Sequence, residues 1–154
     1  MLKMRTKLNK KELEVSDRTH DHWATPTDLY ESLNKEFDFN FDPCPLHTDF
    51  NGLLIDWKER NFVNPPYNAK DKPKFIKKAY EEYKKGNLCV LLIPVKTSTK
   101  DFHNILLPNC EIRFLKGRPK FLEHGDITND HGRNDIMVCV MDGRESNRRR
   151  TNGE

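Results

Sequence analysis

Leu88-Cys89-Val90-Leu91-Leu92-Ile93 is an uninterrupted apolar run, bounded by Gly86-Asn87 before it and Pro94 after it. A strand with one wet face alternates apolar and polar residues, whereas this one offers water neither face. It therefore reads as a central strand covered on both sides. The covering layers are legible nearby. Leu29, Leu33 and Phe37 recur every four residues behind Thr25-Pro26, which predicts a helix over 26–36 with Thr25 as its cap and Pro26 at its first turn. Pro73 opens a second helix, with Phe75, Ile76, Ala79, Tyr80 and Tyr83 on one face and Gly86 as its stop. Phe37-Asp38-Phe39-Asn40-Phe41-Asp42 alternates strictly and reads as a strand ended by Pro43 and Pro45. Phe62-Val63 is a further short strand, Thr99–Leu107 a third helix, and 111–115 and 136–141 two more strands. Helices and strands mostly alternate, so the expected class is α/β, a sandwich around a largely parallel sheet.

With 154 residues the chain is one domain's worth. Its composition is polar, 35% hydrophobic against 33% charged with a mean hydropathy of −0.88. Nine Phe, four Tyr and two Trp still supply a core, which excludes a disordered chain. No apolar run is long enough to span a bilayer, no signal-peptide stretch opens the chain, and the four cysteines have no CxxC spacing. These features predict a cytoplasmic protein with reduced thiols and no membrane partner. The net charge of +3 is unevenly spread. Residues 1–11 hold five basic and no acidic side chains, and 144–154 hold four Arg against two Glu. Between them the stretch 96–120 runs basic, through Lys96, Lys100, Arg113, Lys116, Arg118 and Lys120 against Asp101 and Glu111. A polyanion would meet both tails and that stretch.

The strongest local signal follows the strand at 62–63: Asn64-Pro65-Pro66-Tyr67. Ligand sites in open α/β sheets lie beyond the carboxyl ends of the strands, and this turn stands there. The Asn64 side-chain carbonyl and the Pro65 backbone carbonyl are two acceptors that suit the two hydrogens of an exocyclic amino group. Held by both, that nitrogen would turn its lone pair toward an electrophile. Pro65 and Pro66 stiffen the turn in advance, and Tyr67 supplies a flat face for a planar base.

The turn resembles the amino-methyltransferase signature, and blocks on either side extend the likeness. In order they are Trp23-Ala24-Thr25-Pro26, Phe41-Asp42-Pro43-Cys44, Asp56-Trp57, the Asn64–Tyr67 turn, residues 92–99 (LIPVKTST) and residues 114–121 (FLKGRPKF). Together they resemble the Dam-like N6-adenine DNA methyltransferases of phages and prophages over about 22–141. The resemblance implies a class I, S-adenosylmethionine-dependent enzyme with an abbreviated Rossmann-like sheet, since Asn64 follows Asp42 by only 22 positions. It implies a catalytic turn of Asn64, Pro65, Pro66 and Tyr67. The cofactor would be held by Trp23, Thr25, Pro26, Asp42, Pro43, Cys44, Asp56 and Trp57, with Asp56 accepting from the cofactor's adenine and Trp57 packing on it. DNA is the implied partner, with the target base flipped out of the duplex. Lys96, Lys100, Lys116, Arg118 and Lys120 are the candidate phosphate contacts.

On this reading residues 1–20 form a basic, flexible segment, 21–142 the methyltransferase domain and 143–154 a disordered Arg-rich tail. No metal is expected: Cys44 with His47, and His124, Asp126, Asp130 and His131, lack the paired ligand spacing of a zinc site. The loop 123–134 is a candidate DNA contact instead. Two other readings stay open. The turn also suits RNA adenine or a protein glutamine amide as substrate, and the absence of any glycine before Gly52 suits a DNA-binding or anti-restriction module without catalysis. Oligomeric state is not fixed by these features, and a monomer suffices.

Overall fold

A computed structural model describes residues 25–45, 48–119, 122–123, 126–127 and 134–144. The expected segment 1–20 and residues 145–154 of the expected tail 143–154, with Trp23 and Lys120, lie outside the described residues. So do His47 and most of the loop 123–134; the two-residue strands β4 (Leu122–Glu123) and β5 (Asp126–Ile127) are described there, paired as an antiparallel hairpin. The principal elements are α1 (Thr27–Phe37), β1 (Arg60–Val63), α2 (Lys72–Lys84), β2 (Leu88–Pro94), β3 (Glu111–Phe114) and β6 (Ile136–Asp142). Between β2 and β3 a π-helical turn, Phe102–Leu106, runs into the one-turn helix α3, Leu107–Asn109. Among the described residues no helix is long and apolar enough to cross a membrane.

The four main strands lie in the order β1-β2-β6-β3. All seven β2 residues are buried, as the unbroken apolar run requires. Successive side chains of a strand point to opposite faces. Cys89, Leu91 and Ile93 therefore join Met137, Cys139 and Met141 of β6 under Phe75, Ile76 and Ala79 of α2. Leu88, Val90 and Leu92 join Ile136, Val138 and Val140 under Leu33 and Phe37 of α1. Arg113 of β3 ties that second layer down, its two terminal nitrogens each 2.7 Å from a Glu36 carboxylate oxygen of α1.

The sheet is mixed, not mostly parallel. β1 and β2 are parallel, but β6 runs antiparallel to both β2 and β3. Three strands do point the same way; the reversed one sits between two of them. No helical pattern precedes β6, so nothing required a parallel crossover there, and a strand buried on both faces reads alike in either direction.

Two local expectations also change. The 37–42 stretch contributes only a single parallel bridge, Phe41 to Asn61, because α1 runs on through Phe37 and Asp38 takes a left-handed φ of 53°. Thr25 does not cap α1: Pro26 occupies the cap position and Thr25 turns elsewhere, as described below. The third helix is entered through Thr99, whose hydroxyl accepts the Phe102 N–H at 3.2 Å.

Glu82 is the buried charge of α2, 1% exposed. Its carboxylate accepts from Asn87 Nδ2 at 2.9 Å and the Trp57 N–H at 3.4 Å, with the Lys78 and Lys85 ammonium groups each at 3.4 Å. It thus links the end of α2 to the chain entering β1 and to the turn before β2. Glu82→Gln keeps the shape and removes the charge that both lysines face. It is expected to cost about 2 kcal/mol, read as a fall in the thermal midpoint of about 4–8 °C.

Candidate active site

β1 ends at Val63, β2 at Pro94 and β3 at Phe114, and all three point the same way, so the residues that follow them share one edge of the sheet. That edge gathers Asn64 to Tyr67 after β1, Lys96 and Lys100 after β2, and Lys116 and Arg118 after β3. Phe41 pairs in parallel with Asn61, which brings Asp42, Pro43 and Cys44 to the same edge beside Asn64.

Asn64 is 5% exposed, and its Nδ2 donates to Thr25 Oγ1 at 3.0 Å. This bond uses the hydroxyl expected to cap α1 and fixes the orientation of the Asn64 amide. It also joins the start of α1 to the turn. Pro65 and Pro66 are buried with Asn64. Tyr67 donates its hydroxyl to the Leu92 carbonyl at 2.9 Å, and its ring packs against the cluster under α1. Burial raises its phenol well above the ordinary range, with the nearby Cys44 thiol adding to the effect. The phenol therefore stays protonated and serves as an anchor to β2.

Cys44 is buried, and its thiol is raised by burial and by Asp42, while the backbone N–H of Asn64 faces it. Asp42 accepts the Cys44 N–H at 3.0 Å. Burial pushes the Asp42 carboxyl up to about 6, opposed only by that hydrogen bond. Among the described residues it forms no ion pair. A carboxyl raised from an unfolded value near 3.8 costs stability when it ionises; the cost is absent below that value and complete above pH 6. Asp42→Asn keeps the acceptor for Cys44. It is expected to be more stable than the parent at pH 7 by about 2 kcal/mol, with the gap closing as pH falls from 6 to below 4. Chemical denaturation at several pH values measures it.

The structure does not bring every expected residue to this edge. The Asp56 side chain is 93% exposed and stands 3.7 Å from Lys85, at the opposite edge where β1 and β2 begin. Trp57 is a core residue, 6% exposed, whose indole N–H donates to the Gly52 carbonyl at 2.7 Å. Asp56 does not lie beside Asn64, because the chain runs through it before β1 starts. Lys96, Lys100, Lys116 and Arg118 are exposed, and Arg118 pairs with Asp135 at 3.1 Å. Among the described residues no group of three or more His, Cys, Asp or Glu is placed to hold a metal ion.

Two features of the site escaped the linear reading. Gly52 packs so closely on Pro43 that a Cβ would lie 1.8 Å from the Pro43 carbonyl oxygen. Lys72 and Lys77 of α2 face a cleft at the same edge as Lys96 and Lys100. Nothing in the spacing of these two lysines marks them in the sequence.

A family model described as DNA N-6-adenine-methyltransferase (Dam) matches residues 12–151. No curated protein matches the chain.

Proposed function

This chain belongs to the Dam family of DNA N-6-adenine-methyltransferases, and from that premise we propose that its catalytic turn is Asn64-Pro65-Pro66-Tyr67, working on an adenine flipped out of DNA with S-adenosylmethionine as donor. The adenine-specific activity comes with the family. The observation that carries the rest is the Thr25–Asn64 bond, which fixes a buried amide at the strand end with its carbonyl as the acceptor.

The donor set at this edge fits such a cofactor. S-adenosylmethionine is cationic, and Asp42 is a partly buried carboxyl without a cationic partner among the described residues. A cation beside it would favour its ionised form and recover the cost of its burial. Asp42, Pro43 and Cys44, with Thr25 and Pro26 opposite, would hold the molecule. Asp56 and Trp57 are left out of this set. When bound, the cofactor supplies an electrophilic methyl group whose bond to sulfur breaks as the bond to N6 forms, the electron pair leaving with sulfur.

The protein's own part is alignment and charge stabilisation. Asn64 Oδ1 and the Pro65 carbonyl accept the two N6 hydrogens and rehybridise the nitrogen toward the methyl group. They stabilise the positive charge that grows on N6 until its surplus proton passes to water. N6 is stacked inside a duplex, so the adenine must leave the helix at a cost of a few kcal/mol. Lys96, Lys100, Lys116 and Arg118 ring the edge and would take the backbone phosphates. Placed on phage DNA, the mark would shield it from host restriction.

The test is transfer of labelled methyl groups to unmethylated duplex DNA, with the product nucleoside identified. N6-methyladenine is the expected product. Label in RNA or protein alone, or no cofactor binding by calorimetry, would overturn the reading.

A further inference from the structure

We infer that the cleft between the start of α2 and the end of β2 is a seat for a phosphodiester of the substrate DNA strand, its phosphate held by Lys72 and Lys96 and its sugar on the apolar floor. This deepens the proposed function and rests on it. The cleft has a volume of about 390 Å³, more than a bare phosphate fills. Ile93 and Met137 contribute to its floor. Lys72, Lys77, Lys96 and Lys100 line it against a single acid, Asp101. An apolar floor with a cationic rim is complementary to a group that is apolar on one side and anionic on the other, as a sugar-phosphate is.

The cleft's positive charge is also poorly matched from within. Among the described residues none of the four lysines is in an ion pair. The Lys72 ammonium is half-buried and held below the ordinary lysine range, first by burial and then by Lys96, with Asp101 offsetting this only in part. Two cations sharing a partly desolvated cleft repel one another, and an anion between them removes both penalties at once. The position suits the assignment. Pro94 lines the cleft at the carboxyl end of β2, the strand beside β1, whose own end carries Asn64. A strand whose adenine reaches the catalytic turn must lay its flanking backbone along this edge.

The experiment is equilibrium binding of a duplex oligonucleotide to the full chain over a series of salt concentrations. It compares Lys72→Gln, Lys96→Gln and the double variant with Lys84→Gln. Lys84 is at the far end of α2, about 18 Å away along the helix. Each cleft substitution is expected to weaken binding regardless of sequence and to lower the salt slope by about 1, and the double variant by about 2. Lys84→Gln should leave the slope unchanged. Thermal midpoints of the cleft variants should match or exceed the parent's, because a repulsion is removed. Equal slopes in the parent and the double variant would overturn the inference, as would a slope lowered just as much by Lys84→Gln. Methyl transfer is measured separately. Normal methylation with a slope insensitive to the cleft would sink this seat alone, whereas cleft-dependent binding with no methylation would sink the catalytic reading and leave the seat standing.

Discussion

Asn64→Ala is expected to slow formation of N6-methyladenine by two orders of magnitude or more under single-turnover conditions, with DNA affinity unchanged within about twofold. The magnitude is that of removing one preorganised hydrogen-bond partner from a group whose charge changes in the transition state. Such a partner acts in a water-poor site and needs no reorganisation at the moment of reaction. Asn64 meets both conditions, being 5% exposed and fixed through Nδ2 to Thr25 Oγ1 at 3.0 Å. The alanine variant also leaves Thr25 without that donor, at a cost of about 1 kcal/mol in stability, far too little to mimic the kinetic effect. Asn64→Asp gives the discriminating comparison. One carboxylate oxygen can accept from the Thr25 hydroxyl while the other takes the place of Oδ1, so this variant should recover part of the lost rate. Rates within threefold of the parent for Asn64→Ala would remove the turn from the mechanism.

Gly52→Ala is expected to destabilise the protein by about 3 kcal/mol and to weaken cofactor binding with it. A Cβ at this position would lie 1.8 Å from the Pro43 oxygen and 2.7 Å from the Pro43 carbonyl carbon, so backbone must move. Neither neighbour has room to give. The Gly52 carbonyl holds the Trp57 indole N–H at 2.7 Å, and Pro43 sits between Asp42 and Cys44 at the candidate cofactor site. Overpacking of this kind costs about 1–3 kcal/mol in ordinary cores, and here it also strains the buried indole hydrogen bond. Gly117→Ala separates contact from conformation. Gly117 has a φ of +74°, but a Cβ there would meet nothing within 4 Å, so only backbone strain of about 1 kcal/mol applies. Thermal unfolding of the two variants side by side, with calorimetry for the cofactor, measures both effects. A Gly52→Ala midpoint no lower than that of Gly117→Ala would show that the Gly52–Pro43 approach is not tight in solution.

Much of the candidate site was legible because proline-rich turns and periodic apolar residues act locally. Asn64-Pro65-Pro66-Tyr67 after an apolar strand end marks a pre-stiffened turn from its letters alone, and the stripe of Leu33 and Phe37 places α1 on the sheet. Asp56 and Asn64 carry the same kind of local signal but stand apart in space. Both flank β1, but one precedes the strand and the other follows it, and the length of the strand puts them at opposite edges. Thr25 reads as a helix cap in one dimension because its only visible neighbours are Pro26 and the helix; its partner 39 positions away is invisible there.

The α/β class, the doubly covered strand β2 and the hydrogen-bonding groups that the Asn64–Tyr67 turn can offer were all written in the residue order, since each depends on residues within one element or one turn. Tertiary structure alone decided that β6 runs backwards between β2 and β3, that Thr25 holds Asn64, and that Lys72 and Lys96 share a cleft. Each of these is a pairing between distant segments. Strand direction, hydrogen-bond choice and charge proximity are set by how layers pack, and packing free energy belongs to the contact between segments, not to either segment alone.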